Sequence, residues 1–412
     1  MKKGYSQKRF GLIGEKLGHT FSPMIHALLA DYSYDTVELA LSEVGDFARN
    51  GGFDGFNVTM PYKKTIMPFL DIISPEAEAI GAVNTVVRRE GKLYGYNTDY
   101  FGFSYMLDAG NVSVKDKKAL VLGRGGASAT VCAVLRDRGA GDIAVVSSKT
   151  NTPEILATHS DAKIIVNATP VGMYPNNGTS PVDLALFPHC ECVLDLIYNP
   201  AKTQLMLDAE ARGVVAVGGL MMLVAQAVRA FELFVDEKAE ADVCEEITEC
   251  IEKQTKNIIL IGMPGCGKSA VGRHLAERLE RPFYDADKVF LDTYGVAPAD
   301  VISADGEDTF RKMEHSVICE LSKLSGSVIA CGGGVVTREF NYDPLHQNGT
   351  VIFLERDLDK LTTRGRPLSQ STGVKALYDQ RFEKYVRFAD IRVKSTEIFE
   401  KTIELMLGEL GL

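Results

Sequence analysis

Residues 262–269 read Gly-Met-Pro-Gly-Cys-Gly-Lys-Ser. This is the Gly-x4-Gly-Lys-Ser pattern of a phosphate-binding loop. The flanks fix its context. Asn257–Ile261 is a short apolar run of the kind a buried strand shows. Ala270–Arg281 carries Val271, Leu275 and Leu279 at helical spacing. Strand, glycine loop and helix together let backbone N–H groups close around phosphate oxygens at the positive end of a helix. In that loop Gly262, Gly265, Cys266, Gly267, Lys268, Ser269 and Ala270 are the expected ATP-binding residues. Lys268 neutralises the β/γ-phosphates and the Ser269 hydroxyl binds Mg²⁺. A glycine turn that binds nothing does not account for lysine and serine at this spacing. Such a loop normally follows the first strand of its domain, so the more than 250 residues ahead of it need a fold of their own.

The length of 412 residues implies two or three domains. A net charge of −10 without a long basic block argues against nucleic acid and anionic membranes as partners. The eight cysteines form no Cys-x-x-Cys pair and no zinc spacing, so reduced thiols and a cytoplasmic location are expected. Behind the basic residues at the start no apolar run of secretory length follows, and the apolar stretch Gly219–Val228 is too short to span a bilayer. The sequence is compatible with an oligomer.

Strand and helix signals alternate from the start, which predicts α/β architecture. Strands are expected at Phe10–Ile13, Val37–Leu41 and Gly55–Thr59, with a helix opened by Ser22 as N-cap and Pro23 at its first position. A second block begins near Lys117: strand Ala119–Leu122, glycine turn, helix Thr130–Arg138, strand Ile143–Val146. The turn Gly123-Arg124-Gly125-Gly126-Ala127-Ser128 is Gly-x-Gly-x-x-Ser in the place of a dinucleotide fingerprint, making Gly123, Gly125, Gly126 and Ala127 candidate cofactor contacts. Helix–strand packing glycines are the alternative. After the second strand come Ser147, Ser148, Lys149 and Thr150, with no acidic residue for a ribose 2′-hydroxyl. One cation and several hydroxyls suit a 2′-phosphate, which favours NADP(H); a solvated loop lysine is the other reading of Lys149. Further strands are expected at Lys163–Val166, Val193–Leu196 and Val214–Val217, and helices near Thr203–Arg212 and Leu220–Phe234.

Residues 9–253 resemble shikimate dehydrogenase. The resemblance rests on Thr20-Phe21-Ser22-Pro23, Asn57–Lys63, Gly81–Thr85, Asn97-Thr98-Asp99, Asn167–Met173, Asp195–Pro200 and Gly219–Gln226, in order. It implies that Lys63 and Asp99 form the proton-transfer pair, and that Thr20, Ser22, Thr59, Asn84, Tyr198 and Gln226 hold the substrate. Thr169, Met173 and Gly219 join the NADP site. The residues also make chemical sense alone: Thr20 and Ser22 sit at i and i+2, which in an extended stretch puts two hydroxyls on one side. Lys63 follows Pro61 at an apparent helix start, whose field favours the neutral amine, and a lysine beside a carboxylate can protonate an alkoxide. Taken singly, Ser22 and Asp99 read as helix caps and Lys63 as a solvated lysine. Thr20 stands where the family has serine, which brings quinate into view as an alternative substrate. The segment 151–162 is short for the adenine-side wall.

Asp236–Lys253 reads as the last helix of the first domain and 254–256 as a linker. The boundaries are therefore 1–253, with a substrate lobe of about 1–105 plus the C-terminal helices and a cofactor lobe about 115–218, and 257–412. The second half resembles shikimate kinase, a P-loop fold of the nucleoside monophosphate kinase type. The resemblance implies that Asp285 supports Mg²⁺ through water and Asp287 accepts the proton of the attacking hydroxyl. At the end of a strand the two carboxylates would face one side. Arg311 and Arg381 bind the substrate carboxylate, Glu314 orients Arg311, and Gly332 and Gly333 offer bare backbone. Arg366, in the lid motif Arg366-Pro367-Leu368, meets the transferred phosphoryl group, and Arg364 is assigned an adenine contact in a compressed lid. A surface ion-pair network is the alternative for Asp285, Arg311 and Glu314. The two resemblances describe a bifunctional enzyme that uses NADP(H), ATP and Mg²⁺ on small-molecule substrates, the product of one half feeding the other. One half being a non-catalytic binding or regulatory module is the contrasting reading.

If Lys149 meets a 2′-phosphate, Lys149→Glu raises the Michaelis constant for NADP⁺ far more than that for NAD⁺. Steady-state kinetics with each cofactor decide this, and equal changes would refute it.

Overall fold

The computed structural model describes residues 4–18, 20–147, 149–361 and 373–412. The chain forms two compact units. The first comprises Met1–Met173, Thr179–Tyr198 and Leu205–Ile251, and the second Tyr174–Gly178, Asn199–Gln204 and Glu252–Leu412.

The first unit contains two sheets. One has six strands: β1 (Gly4–Gly14), β2 (Asp31–Glu38), β3 (Gly55–Val58), β4 (Ile72–Ile73), β5 (Thr85–Arg89) and β6 (Lys92–Tyr96), in the order β2-β1-β3-β5-β6-β4. It is mixed, since β5 runs antiparallel to both β3 and β6. The other has five parallel strands: β7 (Lys118–Leu122), β8 (Asp142–Val146), β9 (Ile164–Asn167), β10 (Cys192–Asp195) and β11 (Val215–Val217), ordered β11-β10-β9-β7-β8. Alternate residues of β7 enter different cores. Ala119 and Val121 join a cluster with Val131 and Leu135, whereas Leu120 and Leu122 pack with Leu156 and Leu205. Burial on both faces explains the unbroken apolar run Ala119–Leu122.

The second unit is built on β12 (Asn257–Ile261), β13 (Phe283–Asp285), β14 (Val328–Ala330), β15 (Gly349–Glu355) and β16 (Ile391–Lys394), all parallel in the order β13-β14-β12-β15-β16. Its sheet is also covered on both sides. Ile259, Ile261 and Phe353 face a core with Phe310 and Tyr385, while Ile258, Leu260 and Ile352 face Val271, Leu275 and Met406.

Several local expectations change. β1 extends over Gly4–Gly14 and β2 begins at Asp31, because the two pair along their length with a register shift between Gly4 and Arg9. Of the strand expected at Val37–Leu41 only residues 37 and 38 belong to β2, and Leu41 already opens a 3-10 turn. The helix Ser22–Leu29 is preceded by Phe21 as N-cap, with no side-chain cap bond, so Ser22 lies inside the first turn. No helix starts at Pro61. Residues 60–66 form turns, with Tyr62 N–H bonded to Thr59 O (2.9 Å) and Ile66 N–H to Tyr62 O (3.0 Å). The helix-field argument for Lys63 therefore has no helix to act through. Asp236 adopts a left-handed conformation (φ 57°) that ends the helix Leu220–Val235, and the next helix spans Val243–Thr255 instead of starting near 236. The first two residues of the expected 254–256 linker are thus helical.

The helix Thr98–Ala109 packs on Leu220–Val235 through Gly102, where a Cβ would lie 2.6 Å from the Met222 carbonyl oxygen and 3.1 Å from Gln226 Cβ. Gly102→Val should force these helices apart and lower stability by about 1–3 kcal/mol, as overpacking does. Urea unfolding of the purified variant measures this; an unchanged midpoint would show that the contact yields without cost.

Candidate active sites

In the first unit Lys63 Nζ donates to Asp99 Oδ2 at 2.6 Å, and both side chains are largely covered, with 19 % and 12 % exposure. Asp99 sits in the first turn of the helix Thr98–Ala109, whose N-cap is Asn97: the Asn97 side chain accepts from Tyr100 N–H. Asp99 is therefore not needed as a cap. Its other oxygen accepts from Asn84 Nδ2 at 2.8 Å, and Asn84 Oδ1 accepts from Thr98 N–H at 2.7 Å. Thr98 Oγ1 lies 3.4 Å from Gln226 Oε1, which ties Gln226 to the same group. The carboxylate is oriented at both oxygens before any substrate arrives.

A second cluster holds hydroxyls. Thr20 Oγ1 donates to Ser22 Oγ at 3.1 Å and also bonds the Tyr198 phenol, whose pKa is raised by burial, with the Thr20 bond opposing. Ser22 in turn bonds Tyr34. Tyr34 Oη donates to Asn57 Oδ1 at 2.8 Å, and Asn57 Nδ2 donates to Thr85 Oγ1 at 3.0 Å and Asn84 O at 3.3 Å. Tyr34 and Asn57 thus join the hydroxyl cluster to the Lys63–Asp99 cluster. Sequence reasoning assigned them no role, although Asn57 opens one of the motifs. A buried asparagine within an apolar strand was the available signal, since such a group needs partners. Thr59 is placed at the end of β3 by its N–H bond to Ile13 O at 2.9 Å.

The cofactor side of this unit follows from β7. Gly123 has φ 112°, and a Cβ there would lie 2.8 Å from Ala168 O. Gly125 is the N-cap of the helix Gly126–Asp137, which starts four residues earlier than expected and so puts its N-terminus, including Ala127, at the glycine turn. A Cβ on Gly126 would lie 3.9 Å from Lys63 Cδ, so the lysine stem adjoins the turn. Asn167 Nδ2 donates to both oxygens of buried Asp195 at 3.1 Å, and Asn167 Oδ1 accepts from Thr169 Oγ1 at 2.7 Å. This bridge sets the loop carrying Thr169 and Met173, the latter 42 % exposed. Gly219 passes so close to Leu196 O that a Cβ would lie 2.2 Å from it. Thr150 Oγ1 is engaged in a turn with Ser147 N–H at 3.0 Å, and Lys149 is exposed. Ser148 lies outside the described residues.

In the second unit Gly262, Gly265 and Gly267 have φ of 146°, 86° and 100°, conformations that side chains resist. The helix begins at Lys268, two residues before the expected start. Lys268 Nζ donates to the carbonyls of Gly262 (2.9 Å) and Met263 (3.1 Å), folding over the loop. Cys266 is fully buried beneath it and joins the core that contains Val271 and Leu275. A cavity of about 490 Å³ opens here, lined by Gly265, Gly267, Lys268, Ser269, Ala270, Asp285, Asp287, Arg311, Glu314, Gly332, Gly333 and Arg381. Its size is that of a small-molecule site.

Asp285 and Asp287 reach this cavity by a different route from the one expected. β13 ends at Asp285, which caps the helix Ala286–Tyr294 by accepting from Asp287 N–H (3.1 Å) and Lys288 N–H (3.4 Å). Asp287 then lies in the first helical turn. Arg311 Nη1 donates to Glu314 Oε2 at 2.7 Å, while its Nε and Nη2 bond Glu307 Oε1 at 3.1 and 2.8 Å. Burial disfavours the charge on Arg311, but the two glutamates outweigh it and hold its pKa above the ordinary value. Burial pushes the Glu314 carboxyl up, against the pull of Arg311. Glu314 Oε1 is buried and has no hydrogen-bond partner among the described residues. It points to where Gly332 passes, a Cβ there lying 2.7 Å from it and 3.0 Å from Asp287 Oδ1. Arg381 Nη1 donates to Gly333 O at 3.2 Å. Arg364 and Arg366 lie outside the described residues. The residues present suit a triphosphate with Mg²⁺: open backbone amides, a loop lysine, a hydroxyl and a nearby carboxylate.

Fold and sites together define a dinucleotide-dependent oxidoreductase joined to a P-loop phosphotransferase. The family description "shikimate dehydrogenase substrate binding domain" matches residues 12–86, and "shikimate kinase" matches 264–406. The NADP(+) shikimate dehydrogenase of Clostridium perfringens (strain SM101 / Type A) is 39 % identical over 268 residues, 58 % of this chain and 98 % of that protein. The chain belongs to the shikimate dehydrogenase family and carries a shikimate kinase domain behind it, which makes it a bifunctional shikimate-pathway enzyme using NADP, ATP and Mg²⁺. Among solved structures, a chorismate mutase/shikimate 5-dehydrogenase fusion protein from Clostridium acetobutylicum is similar at 38 % identity and a TM-score of 0.57, covering 60 % of this chain and 97 % of that one. Shikimate 5-dehydrogenase from Thermus thermophilus, in complex with NADP(H) and shikimate, matches at 34 % identity and a TM-score of 0.52, over 59 % of this chain and 99 % of that one.

Arg311 and Glu314 have side chains only 4 % and 5 % exposed. Removing one partner of such a pair strands the other, so Glu314→Leu should destabilise the second unit by about 3 kcal/mol. Denaturant unfolding followed by a probe in that unit tests this; a loss below about 1 kcal/mol would mean that Glu307 compensates Arg311 alone.

Proposed function

We propose that the first unit reduces 3-dehydroshikimate to shikimate at the Lys63–Asp99 pair, and that the second phosphorylates the shikimate 3-hydroxyl at Asp287. NADPH supplies the hydride. The Lys63 ammonium protonates the carbonyl oxygen as it becomes an alkoxide, and Asp99 holds the ammonium in place. Asn84, by fixing the second Asp99 oxygen, keeps the lysine aimed. The hydroxyls of Thr20, Ser22 and Tyr198 accommodate the substrate carboxylate, and Thr59 and Gln226 its ring hydroxyls. Gly123, Gly125, Gly126 and Ala127 receive the pyrophosphate, with Lys149 and Thr150 toward the 2′-phosphate and Thr169, Met173 and Gly219 toward the nicotinamide.

In the kinase site Asp287 accepts the proton of the attacking hydroxyl while Lys268 neutralises the phosphates. Ser269, and Asp285 through water, would hold Mg²⁺. Arg311 and Arg381 take the carboxylate of shikimate, and Gly332 and Gly333 let the ring approach the backbone. Arg366 meets the transferred phosphoryl group. The observation that carries the reading is that one cavity joins the phosphate loop, Asp285, Asp287, Arg311 and Arg381. All eight cysteines are free thiols, which supports a reducing cytoplasm, and no helix among the described residues is long and apolar enough to cross a membrane.

The roles are tested by assaying both activities on two variants. Asp287→Asn should abolish phosphorylation while 3-dehydroshikimate is still reduced and shikimate accumulates. Lys63→Ala should stop reduction while added shikimate is still phosphorylated at the normal rate. Loss of both activities in either well-folded variant would refute separate sites, and faster oxidation of quinate than of shikimate by the parent enzyme would refute the substrate assignment.

A further inference from the structure

We infer that Arg356, at the end of β15, is a phosphate-contacting residue for the nucleotide held by the loop Gly262–Ser269. The inference rests on the reading of that loop as a nucleoside triphosphate site, and adds a residue that no motif in the chain had singled out.

Position comes first. β15 runs parallel to β12, with Phe353 opposite Ile261, so both strands deliver the chain to the same edge of the sheet. The approach there is close: a Cβ on Gly262 would lie 2.5 Å from Leu354 O. Two residues beyond Leu354, Arg356 lines the same cavity as Gly265, Gly267, Lys268 and Ser269. Its Nη1 would lie 3.7 Å from a Cβ on Gly267. The guanidinium therefore stands beside the backbone that the loop offers to phosphate.

Charge comes second. The other cations of the cavity are engaged by the protein: Lys268 with two loop carbonyls, Arg311 with two glutamates, Arg381 with Gly333 O. Arg356 makes no hydrogen bond or ion pair with any described residue. Nearby carboxylates are already bound elsewhere: Glu355 to Arg392 at 3.1 Å, Asp357 to Lys394 at 2.9 Å, and Glu397 to Lys360 at 2.9 Å. A half-buried guanidinium left over in this way is completed by an anion, and its planar fork suits two phosphate oxygens. The acidic wall of the cavity, Asp285, Asp287 and Glu314, comes from other elements.

Because Arg356 follows directly from a sheet strand, it is placed before catalysis begins and should act on ground-state nucleotide binding. In the full chain, Arg356→Gln should raise the Michaelis constant for ATP and the dissociation constant of MgADP by about tenfold, the worth of one charge-assisted contact. Turnover and the Michaelis constant for shikimate should stay within about twofold, and Arg356→Lys should recover part of the affinity. Steady-state kinetics and calorimetric titration with MgADP read these values, with the rate of 3-dehydroshikimate reduction and the melting profile as checks on folding. Unchanged ATP and MgADP constants in a folded variant would overturn the inference. So would a fall in turnover with MgADP affinity intact, which would place Arg356 on the transition state instead. If the parent chain bound MgADP but phosphorylated no shikimate, the kinase reading would fail, while the MgADP titration would still decide the role of Arg356.

Discussion

Both nucleotide sites depend on one constraint, a buried parallel strand that must release the chain into a helix within a few residues. At the ends of β7 and β12 the chain turns through Gly123 and Gly262, with φ of 112° and 146°. In each case a Cβ would run into a neighbouring carbonyl, Ala168 O at 2.8 Å or Leu354 O at 2.5 Å. Only glycine allows the strand end, the turn and the next element to come this close. The consequence is a helix that begins at Gly126 in one unit and at Lys268 in the other, each with its N-terminus at a glycine turn, an arrangement that suits an anion. Much of the chemistry of the chain is placed by where these two helices start.

The units differ in how they hold their polar groups. In the first, Tyr34, Asn57, Asn84, Thr85 and Thr98 form a buried network in which one side chain's acceptor is another's donor. It reaches from the Ser22 hydroxyl to the Asp99 carboxylate, so residues far apart in the chain are held by bonds that the core cannot give up without stranding a polar group. In the second, the organising groups are charged. Arg311 lies between two glutamates, and Gly334 gives it room: a Cβ there would lie 1.8 Å from Arg311 Nη2.

The sequence determined the α/β class, the place of many strands along the chain and the motif residues, because apolar runs, glycine turns and phosphate-loop spacing act locally. Phosphate-loop spacing singles out Lys268, whereas Lys63, Asp99, Asp285 and Asp287 stand in motifs that carry the resemblance to the two families. Tertiary structure decided what holds each of them. Lys63 has no helix beneath it and is fixed by Asp99, 36 residues away in the chain. Asp285 and Asp287 share a cavity because one caps a helix and the other sits in its first turn, a boundary that the short run Phe283-Tyr284 could not reveal. Asn57 bridges two clusters only because β3 lies between β1 and β5. Arg356 carries no sequence signal at all: its place beside Gly267 follows from the pairing of β15 with β12, and pairing between strands some ninety residues apart is set by the packing of the whole sheet.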